Sequence, residues 1–130
     1  MLHDLYDRYL SSTGVCTDTR KLQEGVLFFA LKGESFNGNL FAKDALDHGA
    51  SLAIVDEEQY VKSDDYLLVD DVLATLQALA RCHRRALGIP IVAITGSNGI
   101  TTTKELMQAV LSKKFNTFAT QGNLNNHIGV

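Results

Sequence analysis

The stretch PIVAITGSNGITTTKELM, residues 90–107, most restricts what this chain can fold into. Residues 90–95 are nearly all apolar, which predicts a central parallel strand. A glycine turn follows, then a predicted helix from about Thr102 to Lys114 and a further strand at 116–120. Strand, glycine loop, helix and strand in this order are typical of the opening of a nucleotide-binding α/β domain.

The sequence before Pro90, the only proline, has a different organisation. Apolar residues at helical spacing predict helices at 2–10, 40–50 and 71–87, and β-branched or aromatic runs predict strands at 26–31, 52–55 and 66–69. The predicted fold class is therefore α/β: a small N-terminal α/β domain over 1–88, then over 89–130 the opening strand, phosphate loop, helix and strand of a parallel-sheet domain. One βαβ unit cannot cover both faces of a parallel sheet, so we expect the second domain to be truncated.

Charge and composition exclude several classes of function. The net charge of −3 gives no basic footprint, which argues against nucleic acid as the main partner. No apolar run reaches the ~18 residues of a membrane span, and the acidic N-terminus is not a secretory signal. Cys16 and Cys82 lie far apart, which favours two reduced thiols over a metal site or disulfide. These features predict a cytoplasmic protein.

The loop after residue 95 has most of what a phosphate site needs. Glycines allow close approach of the backbone, a helix N-terminus directs N–H groups at anionic oxygens, and Thr101 is placed to offer a hydroxyl to Mg²⁺. Ile100, however, stands where a lysine is expected. Lys104 lies about 6 Å further along the helix axis and is not an obvious substitute. The pattern alone leaves two interpretations open, a phosphate-binding loop and a plain strand-to-helix turn.

Three motifs together resemble the Mur ligase family. ITGSNGITTTKEL resembles that family's ATP loop, T-G-[ST]-N-G-K-T-[ST], with Ile100 as the departure. Residues 16–50 resemble the N-terminal domain of the members that add D-alanyl-D-alanine, and QGNLNNHIGV (121–130) resembles their G-N-[LI]-N-N-x-I-G-[VL] segment. The members that add diaminopimelate or lysine usually show a T-x-N-T-T-P type segment there, and they remain an alternative.

The resemblance implies an ATP-dependent amide ligase of peptidoglycan precursor synthesis, using ATP and Mg²⁺. The carboxylate of UDP-MurNAc-tripeptide would become an acyl phosphate, which the amine of D-alanyl-D-alanine attacks. Residues 1–88 would bind UDP-MurNAc-peptide, residues 89–130 would begin the ATP-binding domain, and a domain for D-alanyl-D-alanine would be absent. We expect weak nucleotide binding and little phosphoryl transfer with Ile100, and no ligation by this chain alone.

The resemblance also implies site residues. The ATP loop would comprise Gly96, Ser97, Asn98, Gly99, Thr101 and Thr102, with Thr101 a Mg²⁺ ligand and Ile100 at the catalytic lysine position. The substrate-binding residues would be Thr17, Asp18, Thr19, Arg20, Gly33, Phe36, Asn123, Asn125 and Asn126, with Gly38 beside Phe36.

Each of these assignments has a simpler alternative. Asp18 and Arg20 could be a surface pair that stabilises a turn, Phe36 could pack in the core, and the asparagines could be turn residues. For the whole chain, the alternatives are a non-catalytic module that binds a UDP-muramoyl peptide, which Ile100 favours, and a folylpolyglutamate synthetase-like ligase, which explains nothing before residue 90.

Overall fold

The N-terminal part of the chain is built around a parallel β-sheet. In the computed structural model, which describes residues 1–122, 124 and 126, four strands pair in the order β1-β2-β3-β4. They are β1 (Val15–Cys16), β2 (Leu27–Phe29), β3 (Leu52–Val55) and β4 (Tyr66–Leu68), and each neighbouring pair is parallel. Helices connect and cover them, so the predicted α/β class is confirmed.

Helices cover both faces of this sheet. On one face lie α1 (Leu2–Ser11) and α3 (Val72–Leu87), and on the other lies α2 (Ala42–Asp47). Alternate residues of β2 point to opposite faces, so Phe29 packs with α1 and α3 whereas Phe28 packs with α2. Burial on both faces explains why the central strands have continuous apolar sequences instead of alternating ones.

Capping residues fix the ends of α3 where the sequence predicts them. The Asp71 carboxylate accepts a hydrogen bond from the backbone N–H of Ala74 at 3.0 Å, which caps the first turn. Gly88 ends the helix in the left-handed conformation, with φ of 62°. Half-buried His83, on the same helix, shares a 3.2 Å hydrogen bond with the Tyr6 hydroxyl of α1.

Three strand predictions before Pro90 are broadly correct, and one strand was missed. The observed β2 is shorter than the predicted 26–31, β3 matches 52–55, and β4 ends one residue before the predicted end at 69. The missed strand is β1, whose two residues are too few to give a periodic pattern. Both cysteines are free thiols, as predicted.

The chain divides into two compact units, Met1–Ile89 and Pro90–Val130. The second unit contains α4 (Ile100–Leu111), which begins two residues earlier than predicted. The predicted strands at 90–95 and 116–120 are wrong as assigned, because neither segment pairs with another strand. A parallel strand is defined by its hydrogen-bonded neighbour, and an apolar sequence alone does not supply one.

No residue of the second unit is buried, counting only those described. Large apolar side chains are instead exposed there, among them Ile91, Val92, Leu106, Val110 and Phe118. Across the described part of the whole chain, no helix combines the length and the apolar character that crossing a membrane requires.

Candidate functional site

The glycine loop of the second unit ends directly at the first turn of α4. Gly99 precedes the helix with φ of 70°, a left-handed conformation that favours glycine, and no side chain caps this end of the helix. The first N–H groups of a helix have no partner within the helix. Nothing lies within 4 Å of the position that a Cβ on Gly99 would occupy. The backbone therefore presents an open helix N-terminus, as phosphate binding requires.

Ile100 is the first residue of α4 and occupies the expected lysine position. It is half-buried, and its Cγ1 lies 3.9 Å from where a Cβ on Gly96 would lie, so the side chain folds back against the loop. Thr101 and Thr102 follow on the exposed side of the first turn. The loop thus keeps its backbone geometry and hydroxyl groups but gains no positive charge from residue 100.

Lys104 is engaged elsewhere in the same unit. Its ammonium donates to the backbone carbonyl of Thr120 at 2.7 Å and also to that of Gly122. These bonds join α4 to the segment that precedes the asparagine-rich motif. They support the prediction that Lys104 does not replace the missing loop lysine.

In the first unit, Asp18 and Arg20 form a close ion pair just after β1. The Asp18 carboxylate accepts from the Arg20 side chain at 2.8 Å and from the Arg20 backbone N–H at 2.9 Å. These hydrogen bonds, the side-chain one foremost, lower the pKa of Asp18 to about 2. The Arg20 side chain is 88 % exposed, so the pair shapes the turn and still leaves the guanidinium accessible to a ligand.

The loop between β2 and α2 lines an open pocket of about 500 Å³. Lys32 and Asn37 pair across the base of this loop, and the Gly33 N–H donates to the Phe36 carbonyl at 2.9 Å. A Cβ on Gly33 would lie 2.4 Å from the Phe36 ring, so that ring rests on the glycine. Phe36 is 55 % exposed, which shows that the alternative of core packing is wrong.

Gly38 is required for a different reason. A Cβ there would lie 2.5 Å from the backbone oxygen of Leu31, and the Gly38 N–H donates to that same oxygen at 2.8 Å. The loop therefore returns directly onto the end of β2. Only a residue without a side chain allows this close approach.

Two acidic residues at the end of β3, Asp56 and Glu57, were missed by the sequence analysis. Lys32 lies 3.0 Å from the Asp56 carboxylate and 3.4 Å from that of Glu57. Burial alone would raise the pKa of Asp56, but hydrogen bonds from Asn39 and Lys32 outweigh it and the net pKa is lowered. Their position gave a usable signal, since polar residues at the carboxyl ends of parallel strands commonly border ligand sites.

The predicted substrate residues of the first unit lie at one edge of the sheet but not in one pocket. Thr17–Arg20 follow β1, and the 500 Å³ pocket follows β2 and β3, whose carboxyl ends share that edge because the strands are parallel. Gly33 and Phe36 line the pocket, whereas none of residues 17–20 does. Asn123 and Asn125 lie outside the described residues, and Asn126 is exposed.

A second open pocket, of about 430 Å³, lies at the opposite edge of the sheet. Several hydroxyl groups line it, and they donate to backbone carbonyls: Ser12 to Tyr9, and Ser51 to Val26. These hydroxyls therefore stabilise the surrounding turns. Within the described residues, no cluster of three His, Cys, Asp or Glu side chains could hold a metal ion, and Thr101 as a Mg²⁺ ligand stays a prediction.

Comparison with known proteins bears directly on this arrangement. Residues 94–130 match the Mur ligase middle domain. A UDP-N-acetylmuramoyl-tripeptide--D-alanyl-D-alanine ligase of Bacillus subtilis (strain 168) is 43 % identical over 119 residues, which are 90 % of this chain and 26 % of that protein. The protein of the same name from Synechocystis sp. is 47 % identical over 118 residues, 89 % of this chain and 26 % of the relative.

The fold agrees with the sequence comparison. The crystal structure of MurF ligase from Thermotoga maritima in complex with ADP superposes with a TM-score of 0.81 and 36 % identity, over 92 % of this chain and 28 % of that one. In both sequence and fold, this chain is similar to Mur ligases. The resemblance based on motifs is thereby confirmed, and this chain spans about a quarter of the length of the relatives it matches.

Proposed function

We propose that this chain is the N-terminal part of an ATP-dependent amide ligase that joins D-alanyl-D-alanine to UDP-MurNAc-tripeptide in peptidoglycan precursor synthesis. One observation carries the proposal: a single alignment at 43 % identity runs through both units, covering 90 % of the chain, and the relative bears that ligase's name. A nucleotide loop shared by chance would align the second unit alone.

In this proposal the first unit binds UDP-MurNAc-tripeptide at the carboxyl edge of its sheet. The exposed Arg20 guanidinium offers a positive charge and several N–H donors, which suit a diphosphate or a carboxylate. The pocket beside Phe36 offers an exposed ring and amide groups, which suit the uncharged parts of a nucleotide sugar. D-Alanyl-D-alanine would meet a part of the ligase outside this chain.

The second unit would hold the phosphates of ATP. The open N-terminus of α4 and the left-handed Gly99 fit an anion, and the exposed Thr101 hydroxyl would hold Mg²⁺, which neutralises charge on the phosphates when bound. Ile100 cannot act as the phosphate-contacting lysine expected at its position, because isoleucine carries no charge. We therefore expect weak ATP binding and impaired phosphoryl transfer.

A second function stays in consideration because of Ile100: a module that binds the UDP-muramoyl peptide and never turns over ATP. The two proposals agree on the first unit and differ at the loop. A ligase should regain nucleotide affinity when a lysine is restored at position 100. A binding module, which has no selected nucleotide site, should not.

The test measures binding of UDP-MurNAc-tripeptide and of ATP with Mg²⁺ to the 130-residue chain by titration calorimetry. We expect saturable binding of the muramoyl peptide, weakened by Arg20→Ala and unchanged by Arg81→Ala, an exposed arginine on α3. Absence of peptide binding would contradict both functions. Formation of the amide product by this chain alone would contradict the assignment of ligation to a larger protein.

A further inference from the structure

The strongest unassigned feature is a buried polar network behind the 500 Å³ pocket. Asn39 is 1 % exposed, and its amide nitrogen donates to Asn37 Oδ1 at 2.8 Å and to Asp56 Oδ1 at 3.0 Å. The Asn39 amide oxygen accepts from the Asp56 backbone N–H at 3.1 Å. A buried amide with all these bonds holds its neighbours in one arrangement, because any displacement would leave a polar group without a partner.

Both ends of the pocket loop are attached to this network. Lys32, at the start of the loop, lies 3.0 Å from Asp56 Oδ1, and Asn37, at the end, donates its amide to Glu57 Oε2 at 2.5 Å. Lys32 and Asn37 also face each other across the base of the loop. Asp56 and Glu57, which follow β3, therefore hold both ends of the loop 32–37.

The loop needs such a restraint. Gly33 lies inside it and Gly38 directly after it, and glycines increase the conformational freedom that binding must remove. A loop already held in its bound conformation loses less entropy when a ligand arrives, so its affinity is higher. Phe36, which is mostly exposed, has its backbone carbonyl fixed by the Gly33 N–H.

We propose that Asn39 and Asp56 are positioning residues for UDP-MurNAc-tripeptide, acting by holding the loop 32–37 in the conformation that binds it. The inference rests on the proposed function of the first unit. Neither Asn39 nor Asp56 lines the pocket, whereas Lys32, Asn37 and Glu57 do. An effect of Asp56 on affinity must therefore reach the ligand through the loop.

The test compares two variants, each of which removes one partner of the Lys32–Asp56 ion pair. Asp56→Asn keeps an acceptor for Asn39 and removes the charge that attracts Lys32, and Lys32→Met removes the cation. The matched control is Asp47→Asn, which breaks the 2.8 Å Lys43–Asp47 pair on α2. We expect the affinity for UDP-MurNAc-tripeptide to fall about tenfold or more in the first two variants and to stay within about twofold in the control.

Amide hydrogen exchange on the ligand-free chain separates positioning from general stability. Asp56 also accepts from the backbone N–H of Val72 at the start of α3, so Asp56→Asn can weaken the fold itself. Lys32→Met leaves that bond in place. We expect the Gly33 amide, bonded to the Phe36 carbonyl, to exchange about tenfold faster in both variants while the amides of β3 keep their protection.

The outcomes are distinct. Unchanged affinity with faster Gly33 exchange would overturn the inference, because loop order would not matter for binding. Equal acceleration at Gly33 and throughout β3 would also overturn it, because the network would then stabilise the fold in general. If the unmodified chain binds no UDP-MurNAc-tripeptide, the proposed function fails first and the inference falls with it.

Discussion

The two units of this chain contain similar apolar sequence and bury it very differently. In Met1–Ile89 the strands and helices enclose side chains such as Phe28 and Phe29, both at most 1 % exposed. In Pro90–Val130, Phe118 is 88 % exposed and no described residue is buried. Apolar character therefore predicts which residues can enter a core. Whether they are buried depends on other helices or strands that pack against the element carrying them.

The same contrast applies to the candidate sites. The pocket of the first unit depends on tertiary structure, since its loop is fixed by residues that follow another strand. The loop of the second unit is local, built from a glycine and the first turn of one helix. A local site retains its geometry without a core, which explains why Gly99 and α4 still form an open helix N-terminus.

The largest expected effect tests the difference in burial directly. Phe29→Ala should lower the free energy of unfolding by about 3–5 kcal/mol, because it opens a cavity between the sheet and its covering helices. Phe118→Ala, the same change at an exposed site, should stay within about 0.5 kcal/mol. Urea denaturation followed by circular dichroism measures both. Similar losses would contradict the contrast between the units.

The next effect tests whether the local loop lacks only its charge. Ile100→Lys should strengthen binding of ATP with Mg²⁺ by about 1.5–3 kcal/mol, tenfold or more, because it adds a charge-assisted hydrogen bond to phosphate. Ile100→Met, which is uncharged and flexible, is the matched control and should change little. Titration calorimetry measures both. An equal gain from methionine would show that side-chain shape, and not charge, limits binding.

A smaller effect compares Gly33 and Gly38, the two glycines of the segment between β2 and α2. Gly38→Ala should destabilise the chain by about 1–3 kcal/mol, because the new methyl group would meet the backbone of Leu31. Gly33→Ala meets only the exposed Phe36 ring, which can rotate away, and should cost less. Urea denaturation gives the comparison. A larger loss at Gly33 would show that the Phe36 ring is held more firmly than its exposure indicates.

The smallest effect concerns the exposed ion pair. Arg20→Gln should raise the pKa of Asp18 from about 2 towards its ordinary 3.8, whereas Arg81→Gln should leave it unchanged. Because folding lowers this pKa, the pair stabilises the fold above about pH 4, and that contribution disappears as the pH falls towards 2. NMR titration of the carboxyl group measures the shift. An unchanged midpoint in Arg20→Gln would mean that Arg20 is not its cause.

The sequence predicted those parts of the fold whose signals are local. The helix predicted over 71–87 is α3, whose ends are set locally by the Asp71 side chain and by Gly88, which has none. Residues 52–55 form β3 because a short continuous apolar run suits a strand buried on both faces. The strand at 90–95 failed because pairing depends on a partner elsewhere in the chain, which the pattern of one segment does not encode.

The site divides in the same way. Short motifs predicted the glycine loop, the Asp18–Arg20 pair and the Gly33–Gly38 segment as parts of the candidate site, and their roles stay predictions. The position of Asp56 after β3 was a usable signal, but its hydrogen bond with Asn39, 17 residues away, follows no spacing rule and needed the structure. Helix rise predicts that Lys104 lies too far along α4 to replace the loop lysine, and the structure adds its hydrogen bond to the Thr120 carbonyl, which no sequence pattern indicates.

The order of the strands has a consequence for how this scaffold can change. In open α/β sheets, ligands usually bind at a switch point, where the order of the strands reverses and neighbouring connections diverge. The order β1-β2-β3-β4 contains no reversal, so the topology itself provides no crevice. Most of the residues that line the 500 Å³ pocket come from the segment between β2 and α2, and Glu57, after β3, is added to them. Exchange of that segment could therefore give related proteins a new ligand preference while the sheet and its packing are inherited unchanged.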